Sequence, residues 1–287
     1  MAFRNGVRKM TEIIAWWSGG LTSAVACHLA LKQFDRVRIV FIDTKNEDDD
    51  TYRFKKDCEQ WYGQEIETIS NPDYESIEEC WRRHKSLNVA HGAICSYKLK
   101  RVTREKWEKT VSYDHQVFGF EFDKKEFNRA RSLKLNHSHT KPIFPLLQAG
   151  YDKENCLEIV KNAGIEIPRA YRLGFQNNNC LKTGCVQGGI GYWQKMKAEY
   201  PEKFESMAEM EHELTKAKGK PVTMLKNQSK TAKSKFLFLK KHTDYPEVLT
   251  VSDIEGKPVK PLVDCNGFCG TNDLNGPSAT EGELSFD

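Results

Sequence analysis

Apolar residues crowd into a short β-branched and aromatic run at Glu12–Trp17 (EIIAWW) and return at helical spacing from Leu21 to Phe34. Val37–Ile42 repeats the strand pattern and Asp48–Tyr62 the helical one. Glu65–Ser70 reads as a strand, Tyr74–Arg83 as a helix, and Gln116–Phe120 and Ile143–Leu147 as two further strands. Strands and helices taking turns predict parallel strands joined by crossover helices. The expected fold is therefore α/β, a parallel twisted sheet with helices on both faces. Asp152–Ala163 reads as one more helix, capped by Asp152 and stopped by Gly164.

Past Pro168 the pattern changes. Asn, Gly and Cys cluster between Gly174 and Gly191, helical spacing resumes over Tyr192–Tyr200 and Glu202–Lys218, and the residues from Thr271 are polar and Gly/Ser-rich. The predicted organisation is an α/β domain over 1–175, a helical and cysteine-rich module over 176–270, and a disordered tail over 271–287.

Composition narrows the class. With 287 residues, 39% hydrophobic and 29% charged, the chain can bury a core, and no apolar run is long enough to span a bilayer. The opening MAFRNGVRKMTEIIAWW lacks the apolar core and small-residue site of a secretory leader, so a cytoplasmic protein without a membrane partner is expected. The formal charge of +4 is modest, yet Lys216 to Lys241 holds nine lysines and no acidic residue. That segment is a candidate contact for nucleic acid, through phosphate neutralisation.

Nine cysteines in a chain read as intracellular point to metal or redox chemistry rather than disulfides. Cys27, Cys58, Cys80 and Cys156 lie singly within apolar helical patterns and read as packed hydrophobes. Cys180 and Cys185 (CxxxxC), with Cys265 and Cys269 (CxxxC), form two close pairs at glycine-containing turns. Four such thiolates suit a tetrahedral zinc or an iron–sulfur cluster, and the spacing does not choose between them.

Between the first strand and the first helix stands SGGLTS, Ser18 to Ser23. A glycine pair there lets the backbone turn sharply while the first helix amides stay free to donate, which is an anion site. Ser18, Thr22 and Ser23 add hydroxyls beside them. Neither GxxxxGK[ST] nor GxGxxG is present.

SGGxxS resembles the PP-loop of ATP pyrophosphatases, and three further stretches resemble one branch of that superfamily, the phosphoadenosine phosphosulfate (PAPS) reductase-like proteins. FIDTKNEDDDTYRF is similar to the family's strand followed by Thr-Gly-x-Glu, matched by Asp43, Thr44 and Glu47. AICSYKLK resembles the Cys-Thr/Ser-x-x-Leu/Phe-Lys segment, matched by Cys95, Ser96 and Lys100 with Lys98 nearby. FGFEFDKKEFNRARSL resembles the strand followed by Glu and Arg, with Glu126, Arg129 and Arg131. The resemblance implies an adenine nucleotide α-hydrolase-like, Rossmann-like domain that binds ATP or a related nucleotide with Mg²⁺. It departs from the family at Thr22, where loops often carry Asp, and the Glu-Cys-Gly-Leu/Ile-His ending of the sulfate reductases is absent.

The resemblance implies adenylation of an acceptor with pyrophosphate release, as in thiolation or amidation of a nucleobase or nucleic acid. Ser18, Ser23, Lys100 and Arg129 are the candidate catalytic groups, and Gly19, Gly20, Thr22, Asp43, Thr44, Glu47, Lys98 and Arg131 the nucleotide contacts. Two alternatives stand beside it: a PAPS reductase-type oxidoreductase using Cys265 or Cys269, and a nucleotide- or nucleic-acid-binding subunit of a DNA or RNA modification system. The oligomeric state stays open, a homodimer included.

Overall fold

The computed structural model describes residues 11–262, apart from 90, 91, 179, 228, 230 and 231. Along the chain come β1 (Glu12–Trp17), α1 (Leu21–Gln33), β2 (Arg36–Ile42), α2 (Asp49–Tyr62), β3 (Glu67–Ile69) and α3 (Ile77–His84). The antiparallel pair β4 (Asn88–Val89) and β5 (Gly92–Ala93) leads into a π-helical turn, Ser96–Arg101, which continues as α4 (Val102–Glu108). β6 (His115–Val117), α5 (Lys124–Asn136), β7 (Pro142–Ile143), α6 (Pro145–Ala149), α7 (Lys153–Asn162) and α8 (Arg169–Arg172) follow. Next come α9 (Ile190–Glu199), α10 (Pro201–Lys218) and the antiparallel pair β8 (Leu225–Lys226) and β9 (Phe236–Leu237).

Five strands form one parallel sheet in the order β3-β2-β1-β6-β7. Side chains alternate across it. Ile13, Ala15 and Trp17 of β1 and Ile39 and Phe41 of β2 pack into one apolar layer with α1; Ile14, Trp16, Val40 and Ile42 pack into the layer on the other face. Both faces are covered, which is why these strands read as near-continuous apolar runs. The helix starts follow local chemistry: Asp48 caps α2, Ser76 caps α3, Asp123 caps α5, and Asp152 with Asn155 forms a capping box on α7.

Three expected strands are shorter than their patterns, Glu65–Ser70 as β3, Gln116–Phe120 as β6 and Ile143–Leu147 as β7. In Ile143–Leu147 only Ile143 belongs to β7, and Pro145 opens α6. Proline has no N–H for a sheet ladder but suits the first position of a helix, and a short apolar run does not distinguish the two by period.

The third apolar cluster joins the chain's middle to its later part. Ile77, Trp81, Leu87, Cys95 and Leu99 pack with Phe175, Leu181, Trp193, Phe204 and Leu237. Among the described residues no helix is long and apolar enough to cross a membrane.

Irregular chain after α10 is tied down by buried side chains. Both carboxylate oxygens of the buried Glu211 accept main-chain amides, from Met224 (2.8 Å) and Leu239 (2.7 Å), and burial raises its pKa to about 8 despite those bonds. Gln194 donates to the carbonyl of Ile254 (2.9 Å) and accepts from the amide of Lys257 (2.8 Å). A Cβ at Gly191 would stand 2.3 Å from the Pro258 carbonyl oxygen, so the chain crosses α9 where a side chain is missing.

Candidate functional site

β1 lies between β2, reached through α1, and β6, reached much later from the other side. The strand order reverses there, and ligands of open parallel sheets bind in the crevice beyond the strand ends at such a point. SGGLTS leaves β1 at this place and starts α1 with Gly20 as its first flanking residue.

Gly19 has φ +84, which glycine adopts without strain, and a Cβ there would meet Thr51 Cγ2 at 2.9 Å. The Ser23 hydroxyl donates to the Gly20 carbonyl (2.9 Å) and accepts the Ser18 amide (3.0 Å), so it braces the loop from inside. Asn178 Nδ2 donates to the Gly19 carbonyl (2.9 Å) and to Thr51 Oγ1 (3.0 Å). The Leu21 amide donates to the Tyr171 hydroxyl at 3.3 Å. Among the described residues no acceptor takes the amide of Gly19 or Gly20.

Beside the loop opens a crevice of about 260 Å³. Thr22 and Gly119 meet at its floor, where a Cβ on Gly119 would come within 2.7 Å of the Ser23 backbone. Its walls carry charge of both signs: Glu121, Asp123 and Glu126 against Lys125, Lys153 and Lys260. Arg129 is clamped by the Glu126 carboxylate (2.8 and 2.6 Å) and lies over the Phe120 ring at 4.5 Å. Asn177 reaches the same crevice and accepts the Leu262 amide at 2.7 Å, which fixes the 260–262 segment to the rim.

A second, much smaller cavity of about 20 Å³ lies near the end of β2. Thr44, Ser96, Lys100 and three cysteines, Cys95, Cys180 and Cys185, line it. Glu47 is buried beside it, 3.9 Å from the Lys100 ammonium, and accepts from Thr44 Oγ1 at 3.1 Å. Burial pushes the Glu47 carboxyl up, against the pull of Lys100. Glu47 Oε2 and Asn46 Oδ1 are buried with no hydrogen-bond partner among the described residues.

The structure thus divides the sequence candidates between places. Ser18, Gly19, Gly20 and Ser23 make the loop, Thr22 and Glu126 face the crevice with Arg129 behind them, and Thr44, Glu47 and Lys100 gather at the thiol-lined cavity with Cys180 and Cys185. Asp43 accepts from the Tyr52 hydroxyl (3.0 Å) and the Lys45 amide (2.7 Å), which makes it a brace of its own loop. Lys98 lies with its ammonium 5.2 Å from the Tyr97 ring, and Arg131 is half-buried on α5. Lys45, in the place of the family's glycine, has φ +60. Cys265 and Cys269 lie outside the described residues. Among the described residues no group of three or more His, Cys, Asp or Glu side chains is arranged to hold a metal ion. Sequence reasoning missed Tyr171, Asn177, Asn178, Gly119 and Lys260, whose approach to the loop has no local signal.

No curated protein matches the chain. Among solved structures, a phosphoadenylyl-sulfate (PAPS) reductase from Candida auris, determined as a phosphate complex, is similar at 18% identity with a TM-score of 0.45, covering 59% of this chain and 81% of that one. Residues 12–153 match the family model described as the phosphoadenosine phosphosulfate reductase domain. That stretch takes in the SGGLTS loop, the strand order reversal and the floor of the crevice. The matched family belongs to the PP-loop ATP pyrophosphatase superfamily, and the match spans 142 of the 287 residues.

Proposed function

We propose that the protein binds ATP or a related adenine nucleotide in the crevice at the strand reversal and adenylates an acceptor oxygen, with pyrophosphate leaving. The single observation that supports this reading most is the pair of amides at Gly19 and Gly20, without an acceptor among the described residues, at the start of α1 and beside a cavity. Helix N-termini favour negative charge, and amides held in place need no rearrangement as charge moves onto the leaving group. Catalysis then rests on aligning the acceptor with the α-phosphorus. Lys125, Lys153 and Lys260 would offset phosphate charge, with Arg129 held in reserve by Glu126. Mg²⁺ would share that neutralising role.

A reductase-type reading is supported by one separate observation. Leu262 is anchored at the crevice rim, so Cys265 is three residues away along the chain, a reach of about 11 Å at most. A thiolate there would attack the sulfur of an adenylyl sulfate and release the nucleotide; the second thiol of the Cys265 and Cys269 pair would then displace sulfite as the disulfide forms. In the adenylation reading Cys180 and Cys185, with Cys265 and Cys269, are the proposed thiolate set for zinc or an iron–sulfur cluster. Support comes from the shared cavity of the first two, which Cys95 joins. The exposed Lys226, Lys233 and Lys235 around the β8 and β9 pair are the proposed contacts for a nucleic-acid acceptor.

The test is calorimetric titration with a non-hydrolysable ATP analogue, followed by product assays. The expected result is binding by the wild type and its loss in Gly19→Ala, which would be strained at φ +84. Pyrophosphate from ATP supports adenylation, and sulfite from adenylyl sulfate with a thiol donor supports the reductase. A wild type that binds no adenine nucleotide overturns both.

A further inference from the structure

The crevice at the strand reversal is not built from the family-matched stretch alone. Lys260, Pro261 and Leu262 form part of its wall, well beyond the end of the match at residue 153. Among the described residues the chain after Asp253 has no strand or helix, and side chains from elsewhere hold it. Gln194 on α9 clamps both sides of the bend: its Nε2 donates to the Ile254 carbonyl at 2.9 Å, and its Oε1 accepts the Lys257 amide at 2.8 Å. Pro258 then passes over Gly191, one turn earlier on α9, where a Cβ would stand 2.3 Å from the Pro258 carbonyl oxygen. Asn177 Oδ1 takes the Leu262 amide at 2.7 Å. Lys260 is thus carried between two fixed amides.

The charges on the crevice wall are not equivalent. Glu126 is taken by Arg129, Glu121 faces the Lys153 ammonium at 3.7 Å, and Asp123 caps α5 by accepting the Glu126 amide at 2.8 Å. Lys153 also donates to the Gln176 carbonyl at 3.0 Å. Lys125 and Lys260 are exposed and make no ion pair among the described residues. The carboxylates of the wall therefore have partners in the protein, while the Lys260 ammonium keeps its charge for a guest.

We propose that Lys260 is a binding residue for the nucleotide's phosphates and that Gln194, which does not line the crevice, is the positioning residue that sets it there. The proposal rests on the nucleotide reading above and deepens it: a side chain of α9 governs how strongly the sheet half holds phosphate. A lysine on loose chain gives up conformational freedom when it engages an anion, and fixing its backbone on both sides removes part of that cost in advance.

The test is calorimetric titration of a non-hydrolysable ATP analogue into wild type, Lys260→Ala, Lys260→Arg, Gln194→Ala and the double variant Gln194→Ala with Lys260→Ala, with thermal unfolding of each as a control. Lys260→Ala should raise the dissociation constant about 10-fold, the worth of one charge-assisted contact, and Lys260→Arg should restore most of the affinity. Gln194→Ala should weaken binding about 3- to 5-fold alone and not at all in the Lys260→Ala background, because the two act through one contact. Equal weakening in both backgrounds is what a purely structural Gln194 would give, and it overturns the positioning role. If Gln194→Ala unfolds early, Gly191→Ala, whose Cβ would displace Pro258, takes its place in the same cycle. Lys260→Ala binding as tightly as wild type overturns the assignment of Lys260 and leaves the nucleotide reading standing. A wild type that does not bind the analogue overturns both.

Discussion

The sheet half and the half after α9 are held together in different ways. Around β1, β2 and β6 the backbone ladders set the shape, and the loop at Gly19 and Gly20 leaves β1 at a fixed place, braced there by Ser23 and Asn178. Between Gly219 and Leu262 regular structure is sparse, and the side chains of Glu211, Gln194 and Asn177 hold main-chain groups of this stretch in place. The difference teaches where each half can fail. Ladders spread a disturbance over many bonds, whereas removing one buried acceptor strands the donors it served.

The strongest way to break this contrast is Glu211→Ala, which leaves the amides of Met224 and Leu239 buried without an acceptor. We expect a loss of about 3–5 kcal/mol, read by chemical denaturation, with the half after α9 unfolding ahead of the sheet. A single coincident transition at wild-type stability would erase the distinction. On the sheet side, Gly119→Ala drives a Cβ against the Ser23 backbone and should cost about 1–3 kcal/mol together with nucleotide affinity. Unchanged binding by titration would show the loop is not set by this contact.

The same Glu211 carboxyl makes stability depend on pH. The folded pKa of Glu211, about 8, stands above an ordinary carboxyl, so the folded state binds the proton more tightly. Its contribution is fully present below the unfolded pKa and is lost as pH rises through about 8, at up to about 1.4 kcal/mol per pH unit. Stability measured from pH 5 to 8 should fall in the wild type relative to Glu211→Gln. The smallest expected effect is a gain: Lys45→Gly removes a left-handed lysine and should stabilise by about 1 kcal/mol, less the lost bond from Lys45 Nζ to the Tyr74 carbonyl, in thermal melts.

Legibility followed the same division. The run from Glu12 to Trp17, the glycine turn and the helix from Leu21 were readable because period and turn chemistry are local, as was Asp152 as a cap. Ile143–Leu147 misled because a short apolar run suits strand or buried helix, and Pro145 decided for helix. The approach of Asn178 and Tyr171 to the loop was not readable, because tertiary contacts across 150 residues leave no periodic trace. The cluster of Asn, Gly and Cys after Gly174 read as a thiol module; its asparagines dock on the loop and the crevice.

The anchoring of Leu262 has a practical reach beyond the chemistry. Any chain continuing from that residue sets out from the mouth of the crevice, whereas Thr11 enters the sheet at the opposite end of β1, roughly 20 Å away. Affinity handles and fluorophores for binding work therefore belong on the leading end of the polypeptide.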